Sequence, residues 1–244
     1  MLTVQHSDVR TLPPSRDGER RRIGVVTGDL RQVRGADIWI NSENTDMVMA
    51  RVQERSVSAI IRYEGASRDA AGRVLVDHIA NELEAKVAGL RPIGPGGVVV
   101  TGAGDLSRYG VRHVIHAAAV HGAPGAGFQP IKEMGRCVAN ALEAAETVTP
   151  DGHPATVLFP LLGCGDAGGA VTEIAPTLIH TAVNHLRVAA NRVGCVLFLA
   201  WTQEELTACQ DALNAATDAH VPAQRATASA AANRSVRVRP KRRS

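Results

Sequence analysis

The chain has 244 residues, 45% hydrophobic but only 3% aromatic, which suits one large α/β domain or two small ones, with an aliphatic core. No apolar run is long enough to span a membrane, and the first residues contain no hydrophobic signal segment. The four cysteines form neither a CxxC pair nor a metal-ligand spacing, a pattern typical of free thiols in a reducing compartment. We therefore expect a cytoplasmic protein with no membrane contact, no metal and no cofactor.

The formal net charge of +3 comes from the C-terminal end of the chain. Residues 222–244 carry seven basic residues and no acidic one, so the rest of the chain has a net charge of −4. This end is rich in Ala, Ser and Thr without periodicity, which predicts disorder. It either solubilises the protein, the favoured interpretation, or adds weak contact with nucleic acid. We predict an N-terminal extension at 1–20, one domain at 21–220 and a basic tail at 221–244.

Hydrophobic runs alternate with helical patterns along the chain. In order, the sequence predicts a short strand at Leu2–Gln5, strands at Arg22–Thr27 and Ala36–Asn41, a helix from Ser56 or Ser58, a helix over Gly72–Val87, strands at Val98–Thr101 and Arg112–Ala117, a flexible linker at Gly122–Gly127, a helix over Phe128–Val148, a strand from Val157, a helix over Val171–Asn191, a strand at Cys195–Ala200 and a helix from Thr202 to Ala216. Most strands are hydrophobic on both faces, which indicates a sheet covered by helices on both sides.

The strand from Val157 runs into a glycine-rich loop, Gly163–Gly169, in front of a predicted helix. Glycines leave the backbone N–H groups of such a loop unobstructed and tolerate positive φ. A loop of this kind before a helix N-terminus favours an anion, usually phosphate. A tight connection between strand and helix explains the glycines equally well, so the loop alone does not define a function.

Three other strand ends carry polar or aromatic residues: Gly28–Leu30, Asn41–Asn44 and Trp201. In a mainly parallel sheet these ends line one edge together with the glycine-rich loop. An acid such as Asp29 accepts from an exocyclic amine, a tryptophan offers a flat face to a base, and Asn44 can bind ribose hydroxyls. Asn41 is a further candidate for ligand contact, although the favoured interpretation is that its side chain bonds the loop backbone. Together the residues at these strand ends and the glycine-rich loop predict a nucleotide-like ligand.

The order and spacing of these motifs resemble those of the macro domain family over roughly residues 22–218. The matching segments are Gly28–Leu30, Asn41–Asn44, Tyr109–Ala117 and Pro160–Asp166. The resemblance implies a three-layer α/β/α sandwich with a mixed, mainly parallel six-stranded sheet. It also implies a cleft that binds ADP-ribose.

The resemblance further implies a role for each matching residue. Asp29 would accept from the adenine amine, with the backbone of Leu30 beside it, and Trp201 would stack on adenine. Asn44 would contact the distal ribose, and His116 would be structural. The diphosphate loop is matched by Gly163, Cys164, Gly165, Asp166, Ala167 and Gly168.

The first loop, Met47–Arg55, departs from the family's pattern because it contains no glycine. Its methionines and arginines would narrow the groove over the distal ribose. Arg51 or Arg55 would pair with the diphosphate or an additional phosphate, unless both face solvent. Glu54 lies where one hydrolase branch has an acid when positions are counted from Asn44, whereas counting back from the following helix gives Val57.

Two functions remain open. One is a module that binds ADP-ribose, a related nucleotide, or an ADP-ribosylated protein or nucleic acid. The other is a hydrolase that removes ADP-ribose from a protein, a nucleic acid or a small ester, with Asn44, Glu54 and Asp166 as catalytic candidates. The missing glycine run favours binding slightly. A dinucleotide-dependent oxidoreductase is disfavoured because no GxGxxG motif follows the first strand.

Overall fold

A computed structural model of the chain describes residues 8–15, 18–123, 127–188 and 192–218. Its strands are β1 (Asp8–Thr11), β2 (Arg22–Thr27), β3 (Ile38–Asn44), β4 (Ser67–Arg68), β5 (Val74–Val76), β6 (Val98–Gly102), β7 (His113–Ala123), β8 (Gly127–Pro130), β9 (Ala155–Pro160) and β10 (Val193–Ala200). Its helices are α1 (Val57–Gly65), α2 (His78–Val87), α3 (Met134–Val148), α4 (Val171–Arg187) and α5 (Gln203–Asp218). Among the described residues, no helix is both long and apolar enough to cross a membrane.

Eight of the strands form one sheet in the order β1-β2-β10-β9-β3-β7-β6, with β8 paired to β7. The five central strands, β2, β10, β9, β3 and β7, run parallel, whereas β1, β6 and β8 are antiparallel to their neighbours. Helices α3, α4 and α5 cover one face, and α1 and α2 cover the other. The predicted mixed, mainly parallel α/β/α sandwich is confirmed.

Side chains of the central strand β3 alternate between the two cores, as a period of two requires. Ile38 and Ile40 pack under α3 and α4, while Trp39 packs on the α1 and α2 side, where it stacks on Tyr109. All three strand residues are at most 1% exposed. The carboxyl ends of the parallel strands therefore meet at one edge of a sheet that is covered on both faces.

The predicted count of six strands is wrong, because β1 and β8 also join the sheet. Strand β1 lies within the predicted N-terminal extension and pairs with β2 from Asp8 to Thr11. Strand β8 overlaps the start of the predicted Phe128–Val148 helix, and α3 begins only at Met134. Residues Gly127–Pro130 instead pair antiparallel with the end of β7. The predicted linker at Gly122–Gly127 overlaps both neighbouring strands, because β7 ends at Ala123 and β8 begins at Gly127.

The helix predicted over Gly72–Val87 is wrong in its first part. Val74–Val76 forms β5, which pairs with β4, and α2 begins at His78. Gly72 has a φ of +79°, the left-handed conformation of a turn between two strands. The predicted strand at Leu2–Gln5, the end of the predicted Val171–Asn191 helix and the tail lie outside the described residues.

Gly24 is required for the pairing of β1 with β2. A Cβ atom added there would lie 2.4 Å from the Asp8 carbonyl oxygen and 2.7 Å from Val9 Cα, and both are backbone atoms. Gly24→Ala should therefore displace β1 and lower the free energy of unfolding by about 1–3 kcal/mol, as measured by urea denaturation. In the control Gly94→Ala, where an added Cβ meets no atom within 4 Å, we expect a change below about 0.5 kcal/mol. Equal stabilities of the two variants would contradict this role.

Candidate functional site

A cavity of about 760 Å³ opens at the carboxyl ends of β3, β9 and β10. Its floor includes Glu43 and Asn44 at the end of β3, and Leu199 near the end of β10. The first loop and the start of α1 form one wall, and the loop after β9 forms another. The cavity thus lies where ligands bind in open α/β sheets, outside the carboxyl ends of the strands.

The loop after β9 presents backbone donors to this cavity. The N–H groups of Gly163, Gly165, Asp166 and Ala167 make no hydrogen bond to any described residue, and all four residues line the cavity. The N–H groups of Cys164 and Gly168 are occupied by loop carbonyls, at 3.1 and 2.8 Å. Because α4 begins at Val171, its positive end adds to the field of these donors. The loop is therefore built to bind an anion.

Cys164 lies inside the loop but does not line the cavity. Burial, and secondarily the charge of Glu205, raise the pKa of its thiol to about 12. The thiol therefore stays protonated at neutral pH, and a nucleophilic role for it is disfavoured.

The first loop is anchored by its methionines and leaves its charged residues exposed. Met47 and Met49 are 1% and 5% exposed and pack in the core on the α1 side. Arg51, Glu54 and Arg55 are exposed and line the cavity, and none of them forms an ion pair with a described residue. The loop therefore contributes two arginines and one acid at the rim of the cavity.

Arg62 of α1 holds this loop in place from below. It donates from Nη1 to the carbonyl oxygen of Ala50 at 3.0 Å, and its Nε lies 2.6 Å from Asp77 Oδ2. Arg62, itself oriented by its ion pair with Asp77, thus ties the first loop to α1.

Asn44 lines the cavity, but its side chain bonds its own loop. Nδ2 donates to the Val48 carbonyl oxygen at 2.9 Å, while Oδ1 accepts from the backbone N–H groups of Asp46 and Val48 at 3.0 and 3.3 Å. These three bonds shape the turn that follows β3. A ligand contact by the Asn44 side chain remains a prediction.

Asn41 belongs to a buried polar network beneath the cavity. Its Nδ2 lies 2.5 Å from Glu43 Oε1 and 3.2 Å from His116 Nδ1. His116 Nε2 in turn lies 3.1 Å from Thr101 Oγ1, and Ser58 Oγ donates to Glu43 Oε1 at 2.9 Å. All five residues are less than 9% exposed. The network connects β3, β6, β7 and α1 at the level of the cavity floor.

Asp29 and Leu30 do not line the cavity. Asp29 accepts from the backbone N–H of Arg31 and is paired with the Arg31 guanidinium, with Nη2 2.5 Å from Oδ2. Hydrogen bonds from this arginine hold the pKa of the Asp29 carboxyl below its usual value. Asp29 is therefore ionised at neutral pH, and an adenine amine would have to share it with Arg31.

Trp201 is half-buried and lines the cavity beside Thr202 and Glu205. Its backbone N–H donates to Glu205 Oε2 at 2.5 Å, and the same oxygen accepts from the N–H of Thr202 at 2.9 Å. Thr202 Oγ1 accepts from the N–H of Glu205 in return. This capping box fixes the start of α5 and the backbone of Trp201.

The structure brings together seven of the predicted site residues and leaves out five. Those that line the cavity are Asn44, Glu54, Gly163, Gly165, Asp166, Ala167 and Trp201, and those that do not are Asp29, Leu30, Asn41, Cys164 and Gly168. Sequence reasoning missed Glu43, Arg62 and Glu205, which also line the cavity. The period of two along β3 could have identified Glu43, because it places Glu43 on the same face as Asn41. No group of three His, Cys, Asp or Glu side chains in the described part of the chain could hold a metal ion.

Comparison with known proteins agrees with this geometry. The model of the Macro domain family matches residues 41–178, while no curated protein matches the sequence. An Oceanobacillus iheyensis macrodomain solved with ADP is 17% identical, with a TM-score of 0.61 over 88% of this chain and 100% of that one. A Trypanosoma brucei macrodomain in complex with ADP-ribose is 14% identical, with a TM-score of 0.58 over 84% of this chain and 74% of that one.

Proposed function

Because this chain belongs to the macro domain family, we propose that its cavity binds ADP-ribose, free or attached to a target. One observation carries the proposal. Four backbone N–H groups between Gly163 and Ala167 have no acceptor among the described residues, and all four of these residues line the cavity. A diphosphate supplies the acceptors that such a loop lacks. Titration of the purified protein with ADP-ribose tests it.

The rest of the cavity suits the other parts of this ligand. The cavity lining includes Trp201, whose ring could stack on a base, and residues of the first loop, which could contact a distal ribose. A volume of about 760 Å³ is within the range of small-molecule sites. The ADP and ADP-ribose held by the two macrodomains named above support the same assignment.

Arg51 and Arg55 should strengthen binding through the charge of the diphosphate. Replacing both by alanine should weaken ADP-ribose binding roughly 3-fold to 10-fold, because exposed charges contribute little each. The dependence of the dissociation constant on salt should also become flatter. Calorimetry at two NaCl concentrations measures both effects. The control is Arg20→Ala, at an exposed arginine outside the cavity lining. If the double variant binds ADP-ribose with the affinity and salt dependence of wild type, both arginines only face solvent.

Hydrolysis of an ADP-ribosylated substrate is a second candidate function. The observation that favours it is that Glu54 and Asp166 both line the cavity, exposed and without an ion pair to any described residue. Either carboxylate could orient a water or act as a base. Release of ADP-ribose from a modified protein, nucleic acid or ester should then fall in Glu54→Gln or Asp166→Asn. Equal turnover by wild type and both variants would reject this assignment.

We also propose a reducing, cytoplasmic environment, supported by four free cysteines in the described residues, three of them buried. The basic end of the chain is proposed to add weak contact with nucleic acid. Removing residues 221–244 should then reduce the salt-dependent affinity for a nucleic acid without changing the affinity for ADP-ribose.

A further inference from the structure

Glu43 is a buried carboxylate at the floor of the cavity. It is 2% exposed, and its Oε1 accepts from Asn41 Nδ2 at 2.5 Å and from Ser58 Oγ at 2.9 Å. Ser58 is itself held, because its Oγ accepts from the backbone N–H of Ala50 at 3.1 Å. The carboxylate is therefore fixed from one side by β3, α1 and the first loop.

The second oxygen, Oε2, makes no hydrogen bond to any described residue. It is also not among the side-chain atoms that are fully buried without a partner, and Glu43 lines the cavity. Oε2 is thus the part of this carboxylate that the cavity can reach. A carboxylate oxygen in so buried a position requires a hydrogen-bond donor, and the contents of the cavity must supply it.

The neighbouring Asn44 is poorly placed to take this role. All three hydrogen bonds of its side chain are made with the backbone of Asp46 and Val48. Breaking them to contact a ligand would release the turn that positions the first loop. The free acceptor at this end of the cavity therefore belongs to Glu43 rather than to Asn44.

Resting on the proposed function, we infer that Glu43 determines specificity for the distal ribose, by accepting its hydroxyl hydrogens at Oε2. Ribose hydroxyls are donors, and bonds from a hydroxyl to a carboxylate are short and strong. Asn41 and Ser58 orient the carboxylate, and Asn44 shapes the loop above it. The site therefore selects a nucleoside diphosphate that carries a second sugar with free hydroxyls over the bare diphosphate.

Glu43→Gln tests the inference with little change in shape. The glutamine oxygen can still accept from Asn41 and Ser58, so that its amide nitrogen faces the cavity and the acceptor there becomes a donor. Calorimetric titration of the full chain should show ADP-ribose binding weakened roughly 10-fold to 100-fold. Binding of ADP, which has no distal ribose, should stay unchanged. Thermal unfolding checks that the variant is folded.

Each other outcome overturns a distinct claim. Equal losses for ADP-ribose and ADP would mean a merely structural role for Glu43, and no loss for either would mean that Oε2 does not contact the ligand. If wild type binds neither compound, the proposed function fails and this inference fails with it. If Glu43→Gln does not fold, the wild-type protein decides the inference, because equal affinities for ADP and ADP-ribose would contradict it.

Discussion

Gly165→Val should abolish ADP-ribose binding while leaving the fold intact. Gly165 lines the cavity, its φ is not positive, and an added Cβ meets no atom within 4 Å. Valine methyls would thus fill open space beside the N–H donors of the loop instead of straining the protein. Since hydrogen bonds to a charged group contribute about 1.5–3 kcal/mol each, losing two or more should raise the dissociation constant at least about 100-fold.

The stability of Gly165→Val provides the internal check. Its unfolding temperature should stay within about 2 °C of wild type, as for a surface substitution. Gly94→Val is the matched control, because an added Cβ there also meets no atom within 4 Å and the residue lies outside the cavity lining. A folded Gly165→Val protein that binds ADP-ribose like the control would show that this loop does not hold the diphosphate.

Trp201→Ala should weaken ADP-ribose binding roughly 10-fold to 100-fold. Stacking of a base on an aromatic side chain contributes about 1–3 kcal/mol. Trp201, just past the end of β10, is one of two aromatic residues that line the cavity, the other being Phe128. Its backbone N–H bond to Glu205 does not need the indole, so α5 should still start at the same place. Calorimetry with ADP-ribose and with AMP measures the loss, which should be the same factor for both ligands.

Trp201→Phe separates stacking from a general loss of packing, because phenylalanine retains a flat face. We expect its affinity to lie between those of wild type and Trp201→Ala. If Trp201→Ala binds both ligands as wild type does, the indole covers the core near β10 and does not contact a base.

The strands were predictable because their hydrophobic runs are short and clearly bounded. Arg22–Thr27 was predicted with both of its ends, and Cys195–Ala200 lacks only two residues of β10. The predictions were wrong where the apolar residues fit both the helical and the strand periodicity. Val74 and Leu75 suit a helical pattern with Ile79, but only tertiary pairing with β4 makes them a strand. The helix predicted from Phe128 was wrong at its start for a similar reason, because β8 forms only through its pairing with β7.

The site was predictable in position but less so in its polar contacts. The Asn41–Asn44 motif correctly indicated the end of β3, yet the side chains of both asparagines already bond within the protein, through Nδ2 of Asn41 and through Nδ2 and Oδ1 of Asn44. Sequence cannot show that Arg31 would occupy both oxygens of Asp29, since that depends on the turn at Leu30–Gln32. Nor can it show that Glu43 would be fixed by Ser58, fifteen residues further along the chain. Such partners are set by packing between α1 and the sheet.

Calorimetric titration of the purified 244-residue chain with ADP-ribose tests the central claim most directly. We predict one binding site per chain, with a dissociation constant on the order of micromolar and a heat signal that disappears in Gly165→Val. The absence of binding to wild type at about 1 mM ADP-ribose, a concentration that reveals even weak sites, would contradict the account and require a different ligand for this cavity.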